Sequence, residues 1–193
     1  MTKVLQRYRQ QAEQVDLLRI QALLLTFFAA SAIGWVWEIC YTLATAGELV
    51  NRGFLHGPWL PIYGCGCLLM LGIRHICAES KRRFFVLSMA GCAMVEYSTS
   101  WVLEMLLGVR WWDYTGAFMN LNGRICLAGL LFFATAGMLV IYLLEPKFSA
   151  NVEKLNSRTR EILCTVCTLL FTVDLGIAFH LPNLAAATQM LLF

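Results

Sequence analysis

Five long apolar runs, separated by short polar segments, dominate the pattern of this chain. A helix that crosses a bilayer needs about 20 predominantly apolar residues, and each run approaches that length. The predicted membrane helices are residues 20–46, 59–77, 84–107, 125–144 and 161–181. The sequence therefore predicts an all-α, polytopic membrane bundle of about five transmembrane helices, which forms a single domain over residues 20–193.

The segment that precedes the first run, residues 1–19, has a different pattern. Its apolar residues recur near helical spacing, with Arg and Gln between them: Val4, Leu5, Tyr8, Ala12, Val15 and Leu18. This pattern is typical of a short amphipathic helix on a membrane surface, although a solvated helical tail shares it. Ala30-Ser31-Ala32 resembles a signal-peptide cleavage site, but the apolar run continues beyond it, so we expect an uncleaved span.

Lys and Arg are distributed unevenly between the two sides of this predicted bundle. Twelve of the 15 lie on the side of the N-terminus if there are five spans, and the other three are Arg52, Arg110 and Arg124. Because Lys and Arg accumulate in cytoplasmic loops, we expect the N-terminus in the cytoplasm and the C-terminus outside.

Composition agrees with a membrane protein. The chain is 59% hydrophobic and 14% charged, whereas a soluble domain carries about 25% charged residues. It contains no glycine-rich phosphate loop and no signature of nucleic-acid binding. The expected surroundings are therefore the lipid bilayer, and we expect no nucleic-acid partner.

Four carboxylates interrupt the apolar runs: Glu38, Glu96, Glu104 and Asp174. An acid at the centre of a membrane helix costs up to roughly 3 kcal/mol, so such groups usually face a bundle interior or a wet cavity. By position along the spans, Glu96 lies near the middle of the membrane and the other three lie toward the outer side. The acids therefore predict a polar cavity that opens outward.

Two outer loops, near residues 48–64 and 110–124, are richer in Arg, Asn, Asp and aromatic residues than simple turns need. One interpretation is a belt of Trp and Tyr at the headgroups with capped turns. The other is a binding surface at the outer mouth. A weak internal similarity, 35–38 with 101–104, further suggests two related hairpins, an arrangement known in transporters.

These observations give ten candidates for substrate binding or proton transfer. They are Glu38, Asn51, Arg52, Tyr63, Glu96, Glu104, Asp113, Asn122, Arg124 and Asp174. Arg–carboxylate pairs can simply fasten the loops to the bundle. Alternatively, some pairs open to bind a polar or charged substrate, or a carboxylate carries a proton.

The sequence also predicts which of these candidates lie together. We expect Glu38 and Glu104 to meet beneath the outer loops, with at least one loop arginine, Arg52 or Arg124. No loop arginine is expected at the depth of Glu96 in the membrane. Glu96 is therefore the candidate least expected to fasten a loop to the bundle.

The eight cysteines give little indication of a metal site. Cys65 and Cys67, and likewise Cys164 and Cys167, have ligand-like spacing but lie in apolar helical runs. A structural zinc site needs four convergent ligands, and the sequence does not assemble them. We therefore expect free thiols, no metal and no cofactor, with a carboxylate–histidine site near His56 and His180 as a lesser alternative.

Several longer motifs resemble a known family. They are Gly34-Trp35-x-x-Glu38, Asn51-Arg52-Gly53-Phe54-Leu55-x-Gly57-Pro58, Pro61-Ile62-Tyr63-Gly64, Glu96-Tyr97, Trp101-x-x-Glu104, Arg110-Trp111-Trp112-Asp113-Tyr114 and Asn120-Leu121-Asn122-Gly123-Arg124-Ile125. Over roughly residues 25–145 the chain resembles the bacterial membrane family of putative ABC-transporter permeases, CmpB-like and of type IV. The resemblance implies a small multi-span protein of the bacterial cytoplasmic membrane.

The sequence and the resemblance together favour a permease subunit. This chain lacks an ATPase motif, so ATP would be used by a separate subunit, and five spans are few for a translocation path, so a homo-oligomer is expected. The inner loop 145–160 is long enough for one short helix that could dock such a subunit.

Two other classes of function stay open. One is a membrane-embedded enzyme acting on a lipid- or isoprenoid-linked substrate, for which acids, arginines and tyrosines would supply acid–base groups. No pair of nucleophile and base is recognisable, so catalytic residues are not assigned and a non-enzymatic role is favoured. The other is a structural accessory subunit.

Overall fold

The computed structural model describes the backbone of residues 2–77 and 80–185, with side chains from residue 14 onward in those ranges. Within them the chain forms a bundle of α-helices: α1 (Thr2–Ala46), α2 (Pro61–Cys77), α3 (Lys81–Leu107), α4 (Leu127–Leu139), α5 (Glu145–Lys154) and α6 (Ser157–His180). A π-helical turn, Val140–Leu144, joins α4 to α5. The only β pairing in the described ranges is one bridge between Leu121 and Ile125. The predicted all-α bundle is confirmed.

The N-terminal segment differs from the expectation in one respect. Residues 2–19 are helical, but they form the beginning of α1 and not a separate short helix. The reason lies in the sequence, because Gln, Ala, Glu and Leu at the junction are strong helix formers and no Gly or Pro interrupts them. At 1.5 Å per residue, the 45 residues of α1 extend over about 68 Å.

All five predicted membrane helices are helical. Three helical stretches are individually long and apolar enough to cross a bilayer: Gln14–Ala46, Leu127–Lys154 and Ser157–His180. The α2 helix is apolar but shorter, with 17 residues. The α3 helix has 27 residues, and the polar side chains that lower its hydropathy include Glu96 and Glu104. Both acids are among the candidate site residues of the sequence analysis.

The helices pack in sequence order, with α2 between α1 and α3, α3 against α4, and α5 and α6 against α1. The main apolar core lies where α2, α3 and the end of α4 meet, around Met70, Phe84 and Ile141. Phe84 and Ile141 are fully buried, and truncating such a side chain to alanine typically costs 2–5 kcal/mol.

Close approach of α1 and α2 depends on two glycines. A Cβ on Gly34 would overlap the ring of Tyr63, and a Cβ on Gly64 would overlap Ser31 and Phe27. The absence of these side chains lets the two helix surfaces touch along residues 27–34 of α1 and the first turn of α2. This contact fixes where Tyr63 sits relative to α1.

Two long connections lie at the same end of the bundle. Loop 1 (residues 47–60) joins α1 to α2, and loop 2 (residues 108–126) joins α3 to α4. Helix α3 ends at Gly108, whose φ of 69° is a left-handed conformation that suits glycine. Both loops therefore cover the end of the bundle toward which Glu38 and Glu104 project.

Candidate functional site

Glu38 of α1 lies in a polar contact with α2 and loop 1. The Tyr63 hydroxyl donates a hydrogen bond of 2.6 Å to Glu38 Oε1, and Arg52 Nη1 lies 3.3 Å from Oε2. Tyr63 is placed by its packing over Gly34, one turn before Glu38. Each oxygen of Glu38 therefore has its own partner, one neutral and one cationic.

Glu96 of α3 is the more deeply buried acid, with 6% of its surface exposed. The Tyr114 hydroxyl, from loop 2, donates a hydrogen bond of 2.9 Å to its Oε1. Its Oε2 is buried, and no donor for it lies in the part of the chain that the structure describes. A buried polar atom without a partner usually costs about 1–3 kcal/mol, and more if it is charged.

The two acid–tyrosine pairs form one interior cluster, defined here as Glu38, Tyr63, Glu96 and Tyr114. The carboxylates of Glu38 and Glu96 lie within electrostatic range of each other and of the two tyrosines. Like charges in one low-dielectric interior repel. Arg52 lies beside Glu38, whereas the described part of the chain places no cation in contact with Glu96.

Loop 2 holds Tyr114 in place through its backbone. Tyr114 N donates to Gly123 O at 2.7 Å, and the indole of Trp112 donates to Arg124 O at 2.9 Å. Burial, followed by the charge of the nearby Glu96, raises the pKa of Tyr114 above its usual value. Tyr114 is therefore a protonated hydrogen-bond donor at neutral pH.

Asp113 has a local role beside Tyr114. Its Oδ1 accepts from the backbone N and the hydroxyl of Thr115, at 2.9 and 2.6 Å. These hydrogen bonds, the hydroxyl first, lower the pKa of Asp113. The side chain is exposed, so it caps a turn in loop 2 and does not face the interior cluster.

A second group of residues, the loop 2 clasp, fastens loop 2 to the end of α3. Glu104 uses one oxygen for Arg110, at 3.0 Å, and the other for Arg124. Arg124 is 8% exposed and also donates to Ser100 Oγ at 3.0 Å. Its guanidinium lies over the ring of Tyr97, 5.7 Å from the centroid, where a cation–π contact adds about 1 kcal/mol.

Asn122 completes the loop 2 clasp at the surface. Its side-chain nitrogen donates to the Tyr97 hydroxyl at 2.9 Å. Arg110 Nη1 donates to the backbone carbonyl of Asn122 at 3.3 Å. The backbone φ of Asn122 is 53°, a left-handed value that asparagine tolerates better than most residues. These contacts use Asn122 to shape the loop.

Asp174 of α6 makes the corresponding attachment for loop 1. Its carboxylate accepts from His56 N at 3.1 Å, Gly57 N at 2.9 Å and the Trp59 indole at 2.7 Å. The ring nitrogen Nδ1 of His56 lies 3.5 Å away. Asp174 is 9% exposed, and its accepting capacity is filled by loop 1.

Asn51 braces loop 1 from within. Its oxygen accepts from the Trp35 indole at 2.6 Å, and its nitrogen donates to His56 O at 2.8 Å. Asn183, which follows α6, donates to Asn51 O at 2.9 Å. Asn51 thereby connects α1, loop 1 and the segment after α6.

The structure brings the sequence candidates together in three places and not in one. Glu38 and Glu104, which were expected to meet, have separate arginines, and the contacts of the described residues do not join them. Glu38 instead shares the interior cluster with Glu96. The difference arises because Arg110 and Arg124 both reach Glu104, which leaves Arg52 as the cation of Glu38.

Sequence reasoning missed Tyr114 as a partner of the interior cluster. For its loop motif the sequence left two interpretations open, an aromatic belt at the headgroups and a binding surface at the outer mouth. The spacing of the motif gives no sign that loop 2 turns inward. It also missed Ser100 and Trp59, which satisfy Arg124 and Asp174. Ser100 could have been predicted from its spacing, since Glu96, Ser100 and Glu104 are four residues apart and lie on one face of α3.

The cysteines and the acids do not assemble a metal site in the described residues, where no three His, Cys, Asp or Glu side chains are grouped to hold an ion. All eight cysteines are free thiols, and five of them are buried.

Comparison with known proteins identifies the family. No curated protein and no solved structure matches this chain. The family described as "Putative ABC-transporter type IV" matches residues 25–179, a longer stretch than the motifs of residues 25–145 and one that includes most of α6 with Asp174. This helical membrane protein, with its interior acid–tyrosine cluster beneath two fastened loops, therefore belongs to the putative ABC-transporter type IV family.

Proposed function

We propose that the chain is the membrane-embedded permease subunit of a transporter, and that the interior cluster lies in a polar cavity on the path of a polar or cationic solute or of a proton. Family membership supports a role in transport. The observation that carries the finer proposal is Glu96, a buried acid with one oxygen that lacks a donor in the described residues.

The other acids provide the contrast that makes Glu96 informative. Glu104 and Asp174 have their oxygens filled by loop residues, so their contacts account for their presence as fasteners. Glu96 is held on one side only, by Tyr114. An acid that leaves accepting capacity unused in an apolar interior reduces stability, and such acids within membranes usually mark ion or substrate paths.

The same proposal includes partners and location. The 193 residues contain no phosphate-binding loop of an ATPase, so ATP would be hydrolysed by a separate subunit. Helix α5, which connects the π-helical turn after α4 to α6, is the proposed docking element for that subunit. A homo-oligomer in the bacterial cytoplasmic membrane completes the proposed assembly.

The test compares two isosteric changes, Glu96→Gln and Glu104→Gln. The purified proteins are screened by thermal unfolding against inorganic cations, amines and polar solutes, because a ligand that binds the folded state raises the melting temperature. Reconstituted liposomes with an interior pH dye report proton movement.

We expect Glu96→Gln to unfold at the wild-type temperature or slightly above it, since a neutral amide relieves a buried charge, but to lose ligand stabilisation or flux. Glu104→Gln should unfold earlier while the remaining folded protein keeps its ligand response. Clear destabilisation of Glu96→Gln with unchanged ligand response would contradict the proposal. Copurifying lipid with an altered head group, without flux, would favour the enzyme instead.

A further inference from the structure

An apolar groove lies at the end of the bundle opposite loops 1 and 2. It has a volume of about 420 Å³ and is lined by Lys81, Arg82, Phe85, Val86 and Met138. The first four residues lie on one face of α3, because positions one, two, five and six of a helix share a side. Met138, near the end of α4, forms the opposite wall.

Charge is concentrated at one end of this groove. Lys81 and Arg82 are the first two residues of α3, and Arg83 follows them. All three are exposed, and no ion pair connects them to a carboxylate of residues 14–77 or 80–185, the range in which side chains are described. Lys81 Nζ also lies 5.7 Å from the centroid of the Tyr142 ring. Among the described residues, the cations therefore keep hydrogen-bonding capacity beside an apolar surface.

The spacing of these residues matches the two parts of a lipid. Phe85 and Val86 lie one turn deeper along α3 than Lys81 and Arg82, about 6 Å away along the helix axis. Val86 is 57% exposed, so its apolar surface is open to whatever fills the groove. A phosphate at the level of the cations would place an attached acyl chain along the Phe85, Val86 and Met138 wall.

We propose that this groove binds one anionic phospholipid, with its phosphate between Lys81 and Arg82 and an acyl chain along Phe85, Val86 and Met138. Charge complementarity selects an anionic head group over a zwitterionic one, and the apolar wall selects a lipid over a soluble phosphate. The proposal is independent of the interior cluster and of the transported solute.

The experiment measures lipid binding to the purified full chain in detergent by native mass spectrometry. The protein is titrated with phosphatidylglycerol and, separately, with phosphatidylcholine of the same acyl chains. The test variants are Lys81→Gln with Arg82→Gln, which removes the cations, and Val86→Trp, which fills the groove. The matched control is Lys154→Gln with Arg158→Gln, which removes two exposed cations elsewhere.

We expect the wild type to prefer phosphatidylglycerol. Losing two cations at about 1 kcal/mol each should weaken its binding about 30-fold, whereas the control pair should change it less than about threefold. Val86→Trp should weaken both lipids, and excess glycerol 3-phosphate should not displace the bound lipid.

Three results would overturn the proposal: equal affinity of the wild type for both lipids, equal affinity of the Lys81/Arg82 variant and the control variant, or displacement by glycerol 3-phosphate. If the double variant does not fold, Lys81→Gln and Arg82→Gln are measured singly, each with an expected loss of about fivefold. Wild-type affinity in both single variants would then reject it.

Discussion

Replacing Asp174 by asparagine tests the attachment of loop 1 most directly. Oδ2 of Asp174 accepts from both Gly57 N and the Trp59 indole, and Oδ1 accepts from His56 N. In Asp174→Asn, one oxygen remains an acceptor while the other position becomes an NH₂ donor. With the amide oxygen at the Oδ2 position, Gly57 N and the Trp59 indole keep a neutral acceptor, whereas His56 N faces the NH₂ group, and the charge beside His56 is removed.

The expected loss follows from these contacts. A hydrogen bond to a charged group contributes about 1.5–3 kcal/mol and a neutral one about 0.5–1.5 kcal/mol. One lost bond and two weakened bonds therefore cost about 4 kcal/mol, and the 9% exposure of Asp174 lets water recover part of it. We therefore expect the free energy of unfolding to fall by about 3 kcal/mol. For a chain of this size, 1 kcal/mol shifts the melting temperature by about 2–4 °C, so the decrease should be about 6–12 °C.

The measurement is thermal unfolding in detergent with a thiol-reactive dye, since five of the eight free cysteines are buried and become reactive on unfolding. Asp16→Asn is the matched control, because Asp16 is exposed on α1, and it should shift the melting temperature by less than about 2 °C. A melting temperature for Asp174→Asn that equals the control would show that the carboxylate does not hold loop 1.

Two further predictions concern orientation and helix packing. With the native cysteines replaced, Thr115→Cys in loop 2 should react with an impermeant thiol reagent on intact cells, whereas Arg158→Cys should react only after lysis; the reverse pattern would refute the predicted topology. Gly34→Ala should lower the melting temperature, because its Cβ would overlap the Tyr63 ring and displace the hydroxyl from Glu38, whereas Gly66→Ala, at an open position of α2, should not; equal effects of the two would contradict this packing.

The helices were predictable because membrane spans have a strong local signal. Hydropathy located all five to within a few residues at most ends, and Gly108 marks the end of α3 as its conformation requires. The continuity of residues 2–19 with the rest of α1 was not predicted, because the composition changes near residue 19 and such a change usually separates two elements. The residues at the junction all favour a helix, so α1 continues through it.

The site was predictable in its residue types but not in its pairing. Depth and charge identified Glu38, Glu96, Glu104 and Asp174, together with the loop arginines. Which arginine reaches which acid depends on the path of loops 1 and 2, and that path is set by long-range contacts such as Trp112 to Arg124 O and Asn183 to Asn51 O. Periodicity carries no information about such contacts, so the inward position of Tyr114 could not be derived.

The backbone of loop 2 connects the loop 2 clasp to the interior cluster. Tyr114 contacts Glu96, and its backbone is held by Gly123, the neighbour of Arg124. Arg124 is in turn fixed by Glu104 and Ser100. On the proposed function, Tyr114 is the loop 2 residue that contacts the acid on the path of the solute or proton. Gly123 and Arg124 therefore fix the backbone that carries Tyr114, and Glu104 fastens that backbone without a direct contact to Glu96 in the described residues.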